Sequence, residues 1–138
     1  MHIKQIAHIC LNVKNLDATT RFYHGGLKLP IRFTFMRKDA KIGVYFDTGN
    51  DTFIEAFEHS DVKIQNTGIV HFCLEVHDMD AAIADIEKAG ITATGKKTGC
   101  DGSVQAWIED PDGNRIELHQ YTPASAQKAG GIVQVNWT

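Results

Sequence analysis

The chain carries one pattern twice, and that repeat limits the folds open to it. Ile6-Ala7-His8-Ile9-Cys10-Leu11-Asn12-Val13 returns as Ile69-Val70-His71-Phe72-Cys73-Leu74-Glu75-Val76, an offset of 63 (71 − 8). Further on, Phe53-Ile54-Glu55-Ala56-Phe57 answers to Arg115-Ile116-Glu117-Leu118-His119, an offset of 62 (117 − 55). An internal repeat of this length means two copies of one supersecondary unit. Each copy holds one histidine and one glutamate at matching places. Two such units related by a pseudo-twofold are expected to bring His8, Glu55, His71 and Glu117 together. Two imidazoles and two carboxylates converging on one point form a divalent-metal site.

Each copy opens with alternating residues, the pattern of a strand. In the first, Ile6, His8, Cys10 and Asn12 share one face, and Ala7, Ile9, Leu11 and Val13 the other. A helix is expected next, with Asn15 and Asp78 as N-caps and Asp17 and Asp80 in the first turn. Leu16, Thr20, Tyr23 and Leu27 step at helical spacing in the first helix, as do Met79, Ile83, Ile86 and Gly90 in the second. Glycines end both. Three extended segments follow, at about 31–37, 41–48 and 52–58 in the first copy. The turn Thr48-Gly49-Asn50-Asp51 is matched by Asp110-Pro111-Asp112-Gly113-Asn114. The unit therefore reads β-α-β-β-β, twice. The expected fold class is α+β, with two βαβββ modules forming curled mixed sheets around a central cup. We expect one domain over residues 1–121 (module one 1–62, module two 68–121) and a C-terminal tail over 122–138. Within that tail, 123–131 reads as a linker and 132–137 as a possible added strand.

Composition excludes several functions. A net charge of −3 and 22% charged residues give no reason to expect nucleic acid or a membrane surface. No apolar run is long enough to cross a bilayer, and the polar start at His2, Lys4 and Gln5 does not read as a secretory signal. Cys10, Cys73 and Cys100 lack CxxC spacing and read as reduced thiols of a cytoplasmic protein.

A histidine alone in an apolar strand is usually a satisfied core residue, and a lone strand glutamate usually faces water. Duplication explains similar sequence, but not why polar residues persist at both places among apolar neighbours. Buried charge must be paired or metal-bound, so ligation is the expected role of all four. Such ligands suit Ni, Zn, Co, Mn or Fe(II), and four of them on an octahedral ion leave two positions open for substrate. Cys10 and Cys73 are expected simply to pack, and the matched aromatics Tyr45 and Trp107 to lie in the core. Asn12, Glu75 and His119 are candidate substrate-binding residues, with His119 beside the site. Arg21, Arg32, Arg37 and Lys38 are candidate anion anchors or a solvated face.

The paired modules and the segment Ala106-Trp107-Ile108-Glu109-Asp110-Pro111-Asp112-Gly113-Asn114-Arg115-Ile116-Glu117-Leu118 resemble the vicinal oxygen chelate superfamily, over residues 3–121. This superfamily includes glyoxalase I, methylmalonyl-CoA epimerase, extradiol dioxygenases, fosfomycin-resistance enzymes and bleomycin-binding proteins. The resemblance implies one site per pair of modules, often assembled across a homodimer. A His, Glu, His, Glu set is similar to that of bacterial glyoxalase I. Epimerases tend to carry Gln at the place of Glu55, while fosfomycin-resistance and extradiol enzymes need no ligand there. The resemblance thus implies a divalent-metal-dependent lyase or isomerase, working by proton transfer next to a carbonyl through an enediolate. Glu117 is then the base and Glu55 serves the opposite face. Glutathione-using members carry Arg where this chain has Asn12, and an Asn after the first Glu that is absent here, where His59 stands four residues past Glu55. A small oxygenated substrate without a glutathione carrier is therefore expected. The rival readings are a metal-dependent dioxygenase and a non-catalytic drug- or metabolite-binding protein of the bleomycin-resistance type.

Overall fold

The computed structural model describes residues 4–59 and 68–135. The chain divides into two compact units, Met1–Gln65 and Asn66–Thr138. Each is described by itself.

In unit one, β1 (His8–Val13) leads into a helix α1 (Leu16–Thr20) that widens at once into a π-helical turn over Arg21–Gly26. Three strands follow: β2 (Ile31–Arg37), β3 (Ala40–Gly49) and β4 (Thr52–Glu58). They form one sheet in the order β1-β4-β3-β2, with β1 parallel to β4 and the hairpins antiparallel. Unit two repeats the plan: β5 (Phe72–Glu75), α2 (Met79–Lys88), β6 (Lys97–Thr98), β7 (Val104–Glu109) and β8 (Arg115–Gln120), in the order β5-β8-β7-β6. The α+β reading and the doubled β-α-β-β-β order hold. The second copy departs at β6, which spans only two residues between Gly95 and Gly99 and bends into the Asp101-Gly102 turn.

Strand alternation sorts each sheet into two faces. One packs on the helix. In unit one it buries Val13, Val44, Phe46, Ile54 and Ala56 against Leu16, Thr19, Phe22 and Tyr23. In unit two it buries Ala106, Ile108, Ile116 and Leu118 with Met79 and Ile86. Thr19, rather than Thr20, faces this core, and its hydroxyl donates to the Asn15 carbonyl at 3.1 Å. The opposite face carries the odd residues of β4 and β8, including both glutamates.

The helix starts are built alike. Asn15 Oδ1 accepts from Ala18 N at 2.8 Å and Asp78 Oδ1 from Ala81 N at 2.9 Å, the expected N-caps. The next free amide is met from across the sheet. Leu16 N donates to Glu58 Oε2, and Met79 N to Gln120 Oε1, each at 2.7 Å. Glu58 and Gln120 close the strands parallel to β1 and β5, so one bond ties each helix start to its sheet. The Asp110–Asn114 turn is held by Asp110: Oδ1 accepts from Asp112 N (2.9 Å) and Asn114 N (2.8 Å), and Oδ2 accepts from Asn114 Nδ2 (2.9 Å). Gly113, at φ 83°, supplies the left-handed step the turn needs.

The expected linker at 123–131 is instead a docked segment. Ala126 N donates to the Asp101 carbonyl (2.7 Å), Thr122 Oγ1 to the Gly102 carbonyl (3.0 Å) and Gln127 Nε2 to Asp101 Oδ2 (2.6 Å). Ser103 and Ser125 are fully buried with their hydroxyls 3.1 Å apart, and a short helix α3 covers Ala126–Ala129. No strand forms over residues 132–135, and the rest of that expected strand lies outside the described residues.

Candidate metal centre

The parallel register places the repeated polar residues identically in the two units. Cys10 stands opposite Glu55, and Cys73 opposite Glu117. Each histidine sits two residues before its cysteine, on the same face. His8 Nε2 reaches to 3.6 Å from Glu55 Oε2, and His71 Nε2 to 3.2 Å from Glu117 Oε2. Both carboxylates are mostly covered (side chains 16% and 12% exposed), while both imidazoles keep an open side.

These distances suit a metal. Ligand bonds of about 2.0–2.2 Å set neighbouring donors about 3.0 Å apart at right angles and about 3.4 Å apart at tetrahedral angles. Each His–Glu pair lies at or near that range. A neutral imidazole and a carboxylate are also the donor types that divalent ions of this class take.

The thiols are corrected. Cys10 and Cys73 do not pack in a core; they stand on the exposed face beside the glutamates. Desolvation, then a hydrogen bond to Glu55 and its charge, push the Cys10 thiol up to about 11. Desolvation, then the charges of Glu117, Glu75 and Asp101, push Cys73 up to about 12. Part of each thiol still meets solvent, so the nearby carboxylate acts across a mixed boundary.

Tyr45 and Trp107 are corrected too. Tyr45 is the register partner of Glu55 and Trp107 of Glu117, so both share the glutamate face. The Tyr45 ring lies 5.8 Å from His8, and Trp107 meets His71 edge-on at 4.8 Å. Around Tyr45 the face of unit one is aromatic: Phe33 stacks on it at 4.5 Å, Phe53 lies at 4.9 Å, and Phe35 meets Phe57 at 4.7 Å. Sequence reasoning passed over these phenylalanines, although the i, i+2 spacing of Phe53 and Phe57 with Glu55 was an available signal. It also passed over Arg115, whose guanidinium lies 4.4 Å above the Trp107 ring.

His119 lies in the register of Glu75 and on the face of Glu117, its Nε2 3.1 Å from Glu117 Oε1. It is buried (7% accessible), and neither ring nitrogen has a hydrogen-bond partner. The short approach to Glu117 is out of line for a hydrogen bond. An unsatisfied buried polar group costs about 1–3 kcal/mol, so this side chain has unused donor capacity. The Tyr121 ring meets it edge-on at 5.7 Å. Asp101, beside it, is held below the usual carboxylate range, first by the bond from Gln127 and last by the charge of His119. Asn12, Glu75, Arg21, Arg32, Arg37 and Lys38 are all exposed.

The fold agrees with comparison to known proteins. A family model described as the Glyoxalase/Bleomycin resistance protein/Dioxygenase superfamily matches residues 5–118, and the chain belongs to that superfamily. No curated protein matches it. Among solved structures it is similar to a glyoxalase family protein from Enterococcus faecalis (24% identity, TM-score 0.75, covering 86% of this chain and 99% of that one). It is also similar to TnmS3, an antibiotic binding protein from a Streptomyces species (22%, 0.71, 88% and 99%). A third is the fosfomycin resistance protein FosX from Listeria monocytogenes (19%, 0.67, 88% and 96%). Among the described residues no helix is long and apolar enough to cross a membrane.

Proposed function

We propose that the protein is a divalent-metal-dependent lyase or isomerase of the glyoxalase I type, acting on a small oxygenated substrate without a glutathione carrier. The observation that carries this reading is the repeated His–Glu pair, 3.6 Å apart in one unit and 3.2 Å in the other, at the spacing of two ligands on one ion. In this reading His8, Glu55, His71 and Glu117 hold the ion. When bound, the ion supplies Lewis acidity toward the oxygens of a chelating substrate, which acidifies the C–H beside its carbonyl.

The proton steps fall to the protein. Glu117 takes the proton and returns it to the adjacent carbon; Glu55 serves the opposite face. Both carboxylates are mostly covered, which strengthens their electrostatic effect on a bound substrate. Exposed Asn12, where glutathione-using members have Arg, supports a substrate without that carrier.

The test is metal content by mass spectrometry for the wild type, Glu55→Gln and Glu117→Gln, purified without chelator. The expected result is near one transition-metal ion per chain, reduced in both variants. It is joined by solvent-deuterium incorporation beside the carbonyl of small hydroxy-ketones or dicarbonyls. A protein that stays metal-free after incubation with Ni, Zn, Co, Mn and Fe(II) would sink the reading. Iron with oxygen consumption, undisturbed by Glu55→Gln, would replace it with a dioxygenase.

One observation favours a second reading, a binding protein. The clustered rings of Phe33, Phe35, Tyr45, Phe53 and Phe57, stacked, tilted and edge-on to one another, offer an apolar aromatic face of the kind that holds ring-bearing ligands. It predicts ligand binding that survives chelation, and no turnover.

A further inference from the structure

The two units match at His8/His71, Cys10/Cys73 and Glu55/Glu117, but not one step further along the last strand. There unit one has Phe57 and unit two has His119. That single difference gives unit two an extra donor. Cys73 Sγ, a carboxylate oxygen of Glu117 and a ring nitrogen of His119 all lie within 4.8 Å of one another. His119 Nε2 is the near nitrogen, 3.1 Å from Glu117 Oε1. The other oxygen of Glu117 faces His71.

A second observation points to a ligand. The His119 side chain is nine-tenths buried, yet neither ring nitrogen has a hydrogen-bond partner. Buried histidines are normally satisfied. A metal ion would use such a nitrogen as it stands.

We propose that unit two by itself holds a thiophilic divalent cation, zinc or cadmium in class, on Cys73, Glu117 and His119. This mode shares Glu117 with the His–Glu set, adds Cys73 and His119, and therefore competes with it. Bonds of about 2.3 Å to sulfur and about 2.0–2.2 Å to nitrogen and oxygen place tetrahedral donors about 3.4–3.6 Å apart. From a spread of at most 4.8 Å the cluster therefore closes by no more than about 1.2–1.4 Å, and the exposed side of Cys73 leaves the fourth position to water. Ligation puts the Cys73 Sγ–H proton into solvent, as thiolate binding requires. Softness favours the thiolate mode for the softest ions, cadmium above all, whereas the imidazole–carboxylate set also takes Mn and Fe(II).

The probe is Co(II), added anaerobically to the full chain after chelator treatment. A thiolate ligand gives an intense near-ultraviolet charge-transfer band that nitrogen and oxygen ligands do not. The band is expected in the wild type, in Cys10→Ser and in Glu55→Gln, and to disappear in Cys73→Ser. His119→Phe, which writes the unit-one residue into unit two, is expected to weaken Co(II) binding at least about tenfold. Circular dichroism and thermal midpoint confirm that each variant is folded. Co(II) binding without the band, a band that survives Cys73→Ser, or one indifferent to His119→Phe overturns the proposal. Because Glu55 has no part in this site, retention of the band in Glu55→Gln alongside loss of native metal separates its fate from that of the four-ligand reading.

Discussion

In metal-free protein, the two thiols beside the glutamates should alkylate far more slowly than an ordinary cysteine, and by different amounts. The thiolate is the nucleophile. At pH 8 a thiol at its ordinary value of 9.0 is about 9% ionised; at about 11 the fraction is about 0.1%, and at about 12 about 0.01%. The less acidic thiolate is also the stronger nucleophile, with a Brønsted slope of about 0.4–0.5, which returns about tenfold for Cys10 and about twentyfold for Cys73. The net expectation is roughly tenfold slower reaction at Cys10 and roughly fortyfold at Cys73, relative to an unstructured peptide thiol. The assay is timed iodoacetamide labelling followed by tryptic mass spectrometry. Cys10, Cys73 and Cys100 fall on three separate peptides, 5–14, 64–88 and 98–115. Rates at Cys10 and Cys73 should keep rising with pH past 9, where a peptide thiol levels off. Glu55→Gln should speed Cys10 alone and Glu117→Gln Cys73 alone, each only in part, because desolvation is the larger cause of both shifts. Peptide-like rates at pH 8, or acceleration of both thiols by either variant, would refute the assignment of one carboxylate to each thiol.

The same shifts predict alkaline behaviour. Both thiols are raised in the folded chain, so the fold prefers their protonated form; that stability is whole below about pH 9 and is lost as pH climbs toward 11–12. Thermal midpoints should fall between pH 8.5 and 10.5, and less steeply in the Cys10→Ser/Cys73→Ser double variant. Gly43→Ala should destabilise by about 1–3 kcal/mol by overpacking. Its Cβ would lie 2.7 Å from the Phe57 ring and 2.9 Å from the Ala56 carbonyl, and only the ring has room to turn. Urea melts measure it, and an unchanged midpoint would show that the backbone yields. Asp78→Ala and Asn15→Ala should each cost about 1 kcal/mol through the lost cap. Glu58→Ala should cost at least as much by freeing the Leu16 amide, and the same melts read all three.

Much of this fold was legible because its signals are local. The repeat gave two copies, alternation gave strand faces, and Asn15, Asp78 and the Asp-Pro-Asp-Gly-Asn turn announced the helix starts and the last hairpin. The strand edges expected at 31–37 and 52–58 are those observed. The misreadings have physical causes. Tyr45 and Trp107 read as core because aromatic rings usually are, yet parity with Glu55 and Glu117 puts them on the other face. His119 reads as lying beside the site, two residues past Glu117, but its burial goes unannounced: its cover comes from Tyr121 and the Asp101 region, contacts no local pattern announces. The tail read as a linker from its small residues, and those same small residues let Ser125 dock fully buried beside Ser103.

The register separates what the two copies share from what they do not. The shared positions are His8/His71, Cys10/Cys73, Tyr45/Trp107 as aromatics, and Glu55/Glu117. A duplicated scaffold keeps these for whatever both halves do alike. On the glutamate face, three positions that differ gain charge or a titratable group in unit two. Phe53 becomes Arg115, Phe57 becomes His119 and Asn12 becomes Glu75, so an apolar ring face in unit one answers to a charged, protonatable one in unit two. An apolar wall lowers the local dielectric and strengthens electrostatics, but it moves no proton; a carboxylate with imidazoles on both of its oxygens does the reverse. The divergence suits the proposed reading, in which the charged face handles the proton. It is why Phe57→His and His119→Phe are unequal changes: the first adds a donor to an aromatic wall, and the second removes the group by which unit two differs most.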